Sequence, residues 1–251
     1  MAFYPKYNEL VETALQSRMV APRGELTFEV RGPVLLETNG RTTAARKGLN
    51  TKLGAVEALM MIAGIFDFKY IRLASATTPK DIWMKQSDYG SRLNMQMSRA
   101  LNLLREDRES RRAVVYLNYE RHFQTDDLAC STAIHFMIRN GTLETTMNVR
   151  SWDIAWGLPM DIMTHSILGQ AVARCLGVMP GPLFATGNSV HVYAKTLKQA
   201  IATADIEFTL GASWPEPGYW AAFQQRARTA LDEFEQYGEI NPGVINIERI
   251  A

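Results

Sequence analysis

The chain contains 251 residues, of which 47% are apolar and 21% are charged, and its formal net charge is +1. These values are ordinary for a globular protein, and the near-neutral charge gives no general case for nucleic-acid binding. No apolar run reaches the roughly 18 residues that cross a bilayer, and no secretory pattern opens the chain. Since the two cysteines, Cys130 and Cys175, cannot build a disulfide framework, we expect a reducing cytoplasm, or a host cytoplasm if a phage encodes the protein.

Hydrophobic periodicity predicts both helices and strands in the first half of the chain. Residues 8–17 predict a helix, and the alternating stretch GELTFEVRG (24–32) predicts a strand. Residues 52–66 have helical length and a broad apolar face. The amphipathic stretch 97–112 predicts another helix, and the β-branched and aromatic stretch 113–119 predicts the strand that follows it.

The clearest local signal is the pair Asn140-Gly141, which stands between two strand-like stretches, CSTAIHFMIR and TLETTMNVRS. An Asn-Gly pair in this position predicts a tight β-hairpin. Cys130 would then enter the first strand, and Arg150 would leave the second.

Two more helices are predicted in the C-terminal half. Residues 162–177 form one apolar stripe that Gly177 ends, and residues 219–238 form another helical stretch. Cys175 lies on the first stripe, which favours a buried structural thiol. Antiparallel pairing among mixed elements predicts one α/β or α+β domain over residues 1–251.

Cys130 is the candidate nucleophile. It follows the polar stretch QTDDLA and stands at a strand entry, where a cysteine can also be purely structural. A nucleophile needs thiolate character, which nearby cations or hydrogen-bond donors supply. The chain has several arginines, but their order alone leaves open whether they converge on this sulfur.

Arginines at two predicted strand ends are candidate anion ligands. Arg111 and Arg112 lie at a helix-to-strand junction, where a charged run is normally a solvated face. Adjacent guanidinium groups also match the geometry of a phosphate. Arg150 with Ser151 forms a second possible anion-binding pair.

Four other polar residues have two readings each. His191 and Tyr193 share one face of a strand by their period-two spacing, where such residues are more often structural than ligands. Glu57 sits in the apolar helical stretch AVEALMMIAG, so it lies either on a polar edge or in a site. Asp161 precedes the predicted helix, so it either caps that helix or reads a ligand.

The patterns of several other chemistries are missing from the sequence. The four histidines have no HExxH spacing, and no CxxC pair is present, which argues against a metal site. The sequence also lacks a P-loop, a G-x-G-x-x-G loop and a G-x-S-x-G elbow.

Taken in order, the blocks of the chain resemble the thymidylate synthase superfamily over about residues 15–200. The blocks are PRGELTF, VEALMMIAG, IW, DYG, ESRRAVV, the Cys130 strand, RSWDIAWGLPMD and GNSVHVY. The resemblance implies a three-layer α/β (α+β) fold whose mixed sheets pack back to back in an obligate homodimer. It also implies a one-carbon transferase that binds a pyrimidine nucleoside monophosphate and 5,10-methylenetetrahydrofolate, with no metal, nucleic acid or membrane partner.

The resemblance further implies roles for the matched residues. Cys130 resembles the nucleophile that adds to pyrimidine C6, and Glu57 resembles the glutamate that organises water and proton transfers. The phosphate ligands of one subunit are matched by Arg23, Arg150 and Ser151. Those that reach across the dimer interface are matched by Arg111 and Arg112. The ligands of the sugar 3′-hydroxyl are matched by His191 and Tyr193. Folate-side and wall positions are matched by Asp153, Gly157, Trp83 and Tyr89.

The sequence departs from thymidylate synthases at three of these places. Ala129-Cys130-Ser131 stands in place of Pro-Cys-His, Val149 in place of Gln, and Asp161 in place of Asn. An asparagine can donate to O4 of uracil and accept from its N3–H, whereas cytosine presents an N4 amino donor and an N3 acceptor. A carboxylate accepts from the amino group and, with a shared proton, also engages N3. In these features the chain resembles the phage-type deoxycytidylate hydroxymethylases more closely.

The resemblance therefore predicts a folate-dependent deoxycytidylate hydroxymethyltransferase, in which water completes the product. Deoxycytidylate methylation, a cytidine ribonucleotide substrate and use of deoxyuridylate remain alternatives. A non-catalytic nucleotide binder is disfavoured because it has no need of Cys130. A DNA cytosine methyltransferase is disfavoured because the chain lacks a Gly-rich cofactor loop and a basic footprint for DNA.

Overall fold

The computed structural model describes residues 2–3, 7–45, 48–76, 88–119, 128–201 and 206–249. Its α-helices are α1 (Tyr7–Leu15), α2 (Thr51–Ala63), α3 (Phe68–Ala74), α4 (Tyr89–Glu106), α5 (Gly157–Leu176), α6 (Leu197–Ile201) and α7 (Trp220–Tyr237). Its strands are β1 (Ala2–Phe3), β2 (Arg18–Val20), β3 (Thr27–Glu29), β4 (Val34–Thr38), β5 (Thr42–Ala45), β6 (Val114–Tyr116), β7 (Ser131–Arg139), β8 (Thr142–Val149), β9 (Trp152–Asp153), β10 (Met179–Gly187), β11 (Val190–Tyr193), β12 (Ile206–Ala212) and β13 (Ile245–Arg249). The predicted α/β class is confirmed.

The described strands form three sheets. A six-stranded sheet has the order β1-β4-β10-β8-β7-β6, a four-stranded sheet β2-β3-β11-β9, and a three-stranded sheet β13-β12-β5. The largest sheet is mixed, since β1–β4 and β8–β10 pair in parallel and the other pairs are antiparallel. The predicted hairpin joins β7 to β8, and Asn140 and Gly141 have φ values of 50° and 76°, as a type I′ turn requires.

The six-stranded sheet has two unlike faces. One row of register partners crosses five strands and is buried throughout: Leu36, Ala185, Met147, Ile134 and Val115. The neighbouring row points the other way and is part-buried or exposed: Glu37, Phe184, Thr146, His135 and Val114. Because side chains alternate along a strand, these two rows lie on opposite faces of the sheet. Other described residues cover the first face fully and leave the second face partly open.

Helix α5 packs on the buried face of this sheet. A Cβ at Gly169 would lie 2.9 Å from the Thr145 hydroxyl oxygen of β8. On its other side α5 meets α2 at Gly54, where a Cβ would lie 2.6 Å from the Met163 sulfur. The two glycines therefore allow α5 to lie close to both neighbours, which fixes the position of its N-terminal half.

The prediction for the start of α5 is wrong. The helix begins at Gly157, not after Asp161, and Leu158 and Pro159 belong to its first turn and not to a preceding loop. Proline is tolerated there because its missing N–H would have no helical partner. Asp161 is thus inside the helix and does not cap it.

The predicted helix over residues 97–112 is also displaced. The observed helix α4 begins at Tyr89, after Asp88, whose side chain accepts a hydrogen bond from the Ser91 N–H at 3.2 Å. It ends before Asp107, whose side chain accepts from the Glu109 N–H at 3.0 Å. Such local side-chain turns compete with a helix, and the polar stretch that follows has no apolar face to oppose them.

The other predicted elements appear with small changes at their ends. The predicted helices 8–17, 52–66 and 219–238 correspond to α1, α2 and α7, and Gly177 ends α5 in a left-handed conformation. The strands predicted at 24–32 and 113–119 are the shorter β3 and β6. None of the helices in the described ranges is long and apolar enough to cross a membrane.

Candidate active site

Cys130 and Arg150 are neighbours at the open end of the β7–β8 hairpin. Cys130 directly precedes β7, Arg150 directly follows β8, and the Arg150 N–H donates to the Cys130 carbonyl at 2.9 Å. The Asn140-Gly141 turn at the far end sets the register as far as Ala133, and an irregularity between Ser131 and Ala133 then shifts it. The predicted placement of both residues at strand ends is confirmed.

The Arg150 side chain holds the segment that precedes the thiol. Its Nε and Nη2 donate to the carbonyls of Ala129 and Leu128 at 3.2 and 2.7 Å. Burial raises the pKa of the Cys130 thiol, whereas the positive charges of Arg150 and Arg23 lower it. The charge of Asp161 also raises this pKa, which stays above its usual value, so the two guanidinium groups limit the cost of the nucleophilic thiolate but do not outweigh burial.

Asn118 binds both backbone groups of the residue before Cys130. Its Nδ2 donates to the Ala129 carbonyl at 3.2 Å, and its Oδ1 accepts from the Ala129 N–H at 2.8 Å. The buried Arg92 of α4 donates to the same Oδ1 at 3.1 Å and to the Leu117 carbonyl at 2.8 Å. We did not identify Asn118 or Arg92 from the sequence, because their partners come from distant parts of the chain.

Asn118→Ala is expected to lower kcat by about 10- to 100-fold, because small displacements of a reacting group are costly. It should also lower the free energy of unfolding by about 1–3 kcal/mol, because Ala129 loses two buried partners. Steady-state kinetics and denaturant titration measure the two effects. Asn246→Ala is the control, since that amide lies on the surface and donates to the exposed Glu248 carboxylate at 2.7 Å. A normal kcat in Asn118→Ala would contradict the positioning role.

Asp161 approaches the site from the second turn of α5. The indole Nε1 of Trp152 donates to its Oδ2 at 2.9 Å, and the His165 Nδ1 donates to its backbone carbonyl at 2.8 Å. Burial raises the pKa of Asp161 to about 7, although the hydrogen bond from Trp152 opposes the shift. Asp161 is therefore poised between its acid and its carboxylate near neutral pH.

Glu57 of α2 faces Asp161 across a small cavity. The cavity measures about 10 Å³ and is also lined by Tyr89 and Thr164, which leaves room for about one water molecule. Burial, and then the charge of Asp161, raise the pKa of Glu57 well above its usual range. The two carboxyl groups therefore retain at least one proton between them at neutral pH. Of the two readings of Glu57, the structure favours the site.

Tyr89 connects this carboxyl pair to the nucleophile. It is the first residue of α4, and its hydroxyl oxygen accepts from the Ser131 N–H at 3.4 Å. Burial raises its pKa, and the nearby Asp161 and Cys130 raise it further. The phenol is therefore a neutral group that can donate and accept a proton, whereas from the sequence we assigned it only to the wall of the site.

A second cavity, of about 270 Å³, lies between the segment that contains Arg23 and strand β11. Four of the predicted nucleotide ligands line it: Arg23, Ser151, His191 and Tyr193. Ser189, which was not predicted, lines it as well. Arg23 and Tyr193 both interact electrostatically with Cys130, so the cavity and the thiol form one region. The structure thus brings together the residues predicted for a phosphate and a sugar.

His191 and Tyr193 are held at one face of β11 as predicted. The His191 Nδ1 donates to the Ser189 carbonyl at 3.1 Å, which leaves Nε2 as an acceptor in the neutral ring. The His191 and Tyr193 rings meet edge to face, with centroids 5.0 Å apart. Burial raises the pKa of Tyr193, and the charge of Asp153 adds to this, so its hydroxyl remains protonated.

Three charged residues of this cavity were not predicted: Glu25, Glu29 and Lys195. Glu29 accepts hydrogen bonds from Ser189 and Arg18, which keep its pKa below the usual value although burial acts to raise it. Lys195 forms an ion pair with Glu25 at 2.9 Å and lies 5.4 Å from the centre of the Tyr193 ring. Glu29 and Lys195 face the cavity because β3 pairs with β11. The local sequence does not indicate this pairing.

The predicted folate-side residues lie around the start of α5. Asp153 of β9 pairs in register with His191 and accepts from the Ala155 N–H at 3.0 Å. A Cβ at Gly157 would lie 4.0 Å from the Asp161 Oδ2. Trp156, which caps the helix, has 47% of its surface exposed. Trp83 lies outside the described residues.

Arg111 and Arg112 do not join this region within the described chain. Both are exposed and lie between α4 and β6, which forms the edge of the six-stranded sheet. Neither lines the cavity that Arg23 and His191 share. A direct contact with the same nucleotide would therefore require a second copy of the chain. The described residues also contain no cluster of three or more side chains that could bind a metal.

Comparison with known proteins agrees with this arrangement. The family model for thymidylate synthase matches residues 78–208, just over half of the chain. The chain belongs to the thymidylate synthase family. The resemblance predicted from the ordered blocks of sequence is thereby confirmed.

Two relatives extend the comparison beyond the matched segment. The chain is 25% identical over 265 aligned residues to a protein of Bacillus phage SP01 named deoxyuridylate hydroxymethyltransferase, covering 94% of this chain and 66% of that one. The crystal structure of thymidylate synthase from T4 phage superimposes with a TM-score of 0.74 and 17% identity, covering 97% of this chain and 95% of that one. The structural match confirms the thymidylate synthase fold.

Proposed function

We propose that this protein is a folate-dependent deoxycytidylate 5-hydroxymethyltransferase. The observation that carries the proposal is the buried Asp161 carboxyl, whose pKa burial raises to about 7 and which faces Glu57 across a small cavity. A thiol that arginines favour as thiolate suits addition to an electrophilic ring carbon. A carboxyl group near its pKa suits recognition of cytosine, which presents an amino donor next to a ring acceptor.

Cys130 acts as the nucleophile in this proposal. Its thiolate forms a bond to C6 of the pyrimidine, the C5–C6 double bond breaks, and the electron pair makes C5 nucleophilic. After C5 bonds to the one-carbon unit, a base removes the C5 proton as tetrahydrofolate leaves, which gives an exocyclic methylene. Water then adds to this carbon as the C5–C6 double bond re-forms and the thiolate leaves. Tyr89 and the water-sized cavity between Glu57 and Asp161 are placed to relay the C5 proton.

The larger cavity is proposed to hold the sugar and the phosphate. Arg23 and Ser151 of the cavity supply positive charge and a hydroxyl donor, which match phosphate oxygens, and Arg150 precedes Ser151 in the chain. His191 and Tyr193 offer a ring nitrogen acceptor and a phenol to a sugar hydroxyl. This arrangement places the base next to the thiol, because Arg23 lies within electrostatic reach of both regions.

The proposed co-substrate, 5,10-methylenetetrahydrofolate, supplies the one-carbon unit. The open side of the site fits such a flat molecule, because the exposed indole of Trp156 offers a stacking surface beside Asp153 and Gly157. A hydroxymethyl product requires that water reach the transferred carbon. The cavity beside Glu57 has room for that water, and Glu57 can activate it.

A homodimer is part of the proposal. The outward row of the six-stranded sheet includes the half-buried Phe184 and Val114, which a second sheet would cover. The same sheet edge carries Arg111 and Arg112, so packing of two copies would bring these guanidinium groups to the partner's site.

Subunit mixing is expected to restore activity between two inactive variants. Cys130→Ala lacks the thiol, and the double variant Arg111→Ala/Arg112→Ala lacks the crossing cations. In a statistical mixture, half of the dimers have one intact site, so about a quarter of the wild-type activity should return. The measurement is the turnover rate after the two variants are unfolded and refolded together. Activity no greater than the sum of the separate variants would argue against a shared site.

Deoxyuridylate is the second candidate substrate. It is favoured by the name of the relative from phage SP01, a deoxyuridylate hydroxymethyltransferase. Asp161 could serve it only as the protonated acid, because a carboxylate would repel O4 of uracil.

Product analysis tests the proposed function directly. The protein is incubated with 5,10-methylenetetrahydrofolate and with dCMP, CMP or dUMP, and the mass of each product is measured. We expect 5-hydroxymethyl-dCMP as the main product. A methylated product, or a main product from dUMP, would overturn the proposal in favour of an alternative within the family.

A further inference from the structure

The hydrogen bond between Trp152 and Asp161 has a chemical consequence for base recognition. The Trp152 side chain is 1% exposed, and its Nε1 donates to the Asp161 Oδ2 at 2.9 Å. An indole N–H can only donate, so the oxygen that it contacts must accept. When Asp161 is protonated, its proton therefore belongs on Oδ1.

An unrestrained carboxylic acid does not distinguish cytosine from uracil. The acid has one donor oxygen and one acceptor oxygen, and the proton can move from one to the other. One arrangement matches the N3 acceptor and the amino group of cytosine. The opposite arrangement matches the N3–H and the O4 of uracil. Asp161 alone could therefore bind either base by exchanging the roles of its two oxygens.

We propose that Trp152 is a positioning residue that keeps Oδ2 of Asp161 as the acceptor and Oδ1 as the donor, so that the site reads one base and rejects the other. This inference rests on the proposed function only in that Asp161 contacts the pyrimidine. It does not depend on which base the protein prefers. The pairing of donor and acceptor oxygens, and not the presence of a carboxyl group, then determines the specificity.

Both partners of this hydrogen bond are held by their own elements. The backbone N–H of Trp152 donates to the Ser189 carbonyl at 2.8 Å, and β9 pairs with β11 at Val190. A Cβ at Gly187 would lie 3.0 Å from the indole Cε3, so the ring fills its pocket closely. Asp161 is fixed by α5. The indole can therefore not follow the carboxyl group if that group rotates, and rotation would break the bond.

Other titratable groups face the same carboxyl group. Glu57 on α2, Tyr89 on α4 and Cys130 before β7 each interact with it electrostatically, and His165 on α5 contacts its backbone carbonyl. Trp152 provides the one side-chain hydrogen bond to the Asp161 carboxyl group among the described contacts. Replacing Trp152 therefore tests the donor separately from the surrounding charges.

The test compares Trp152→Phe with Trp220→Phe. Both changes remove a buried indole, but Trp220 stacks on Phe223 in another part of the core and has no contact with Asp161 among the described residues. The ratio of kcat/KM for dCMP and dUMP is measured for each protein. We expect Trp152→Phe to reduce the ratio of the preferred to the disfavoured nucleotide at least about tenfold, chiefly by gain of the disfavoured one. Trp220→Phe should retain the wild-type ratio.

Two outcomes would overturn the inference. The first is an unchanged ratio in Trp152→Phe, and the second is a parallel loss with both nucleotides, which a structural role alone would cause. If Trp152→Phe does not fold, 3-benzothienylalanine at position 152 keeps the shape of the indole and replaces its N–H with sulfur. The same reduction in the ratio is expected for that variant.

A second measurement needs no turnover. The ¹³C chemical shift of the Asp161 carboxyl carbon is followed against pH in the wild type and in Trp152→Phe. Loss of a donor to the ionised form should raise the pKa by about 1–2 pH units. An unchanged pKa would overturn the inference even if the protein used neither nucleotide. A wild type that prefers dUMP would overturn the proposed function and leave the inference about Trp152 standing.

Discussion

Cys130→Ala is expected to lower turnover by at least about 10⁴-fold, while nucleotide binding changes little. The thiolate makes the bond that activates C5, and no other described side chain can replace it. The proposed phosphate and sugar contacts come from other residues, such as Arg23 and His191, which line the larger cavity, so affinity should persist. Turnover is measured by product formation, and affinity by calorimetry.

Cys175→Ala is the control for the loss of a thiol. Cys175 is buried on α5, where its Sγ donates to the Gly218 carbonyl at 3.0 Å and Arg105 contacts it at 3.4 Å. Its removal should cost about 1 kcal/mol of unfolding free energy and leave kcat unchanged. Substantial turnover in Cys130→Ala would rule out covalent activation by this residue.

Asp161→Leu is expected to reduce the ratio of kcat/KM for dCMP and dUMP at least about 100-fold, because it removes the donor and the acceptor that are proposed to read the base. An unchanged ratio in Asp161→Leu would mean that Asp161 does not read the base. Asp161→Asn should instead keep the wild-type ratio. Trp152 requires the amide oxygen to face the indole, and the amide nitrogen then donates where the protonated Oδ1 does.

The substitution Asp161→Asn should change the pH dependence of the reaction. Burial raises the pKa of Asp161 to about 7, so the acid that donates to cytosine N3 exists below that pH and is lost above it. For the wild type, kcat/KM with dCMP should therefore fall as pH rises above about 7. Asp161→Asn should lack this limb. Glu57→Gln is the comparison, because it should slow both substrates and leave their ratio unchanged.

The sequence alone was informative where short stretches decide the structure. Asn140 and Gly141 adopt the positive φ angles that a tight hairpin needs, so the register of β7 and β8 follows from the turn. That register, together with its shift between Ser131 and Ala133, places Cys130 next to Arg150. Period-two spacing likewise placed His191 and Tyr193 on one face of β11.

The failures have a common physical cause. The local sequence around Asp161 is typical of a helix cap. The helix nevertheless begins at Gly157, four residues before Asp161, and the carboxyl group accepts a hydrogen bond from Trp152. Trp152 itself lies in an apolar stretch and reads as core. Asn118 has no local pattern at all, since its partners Ala129 and Arg92 are distant in sequence.

The sequence by itself indicated the longer helices, the β7–β8 hairpin, the position of Cys130 at a strand end and the family to which the chain belongs. The alternation of apolar side chains and the turn chemistry act over a few residues, so they can be read from the chain. Only the tertiary structure decided that Glu57 and Asp161 line one cavity, because α2 closely approaches α5 at Gly54. The charge state of that pair likewise depends on burial among distant residues, which no local pattern encodes.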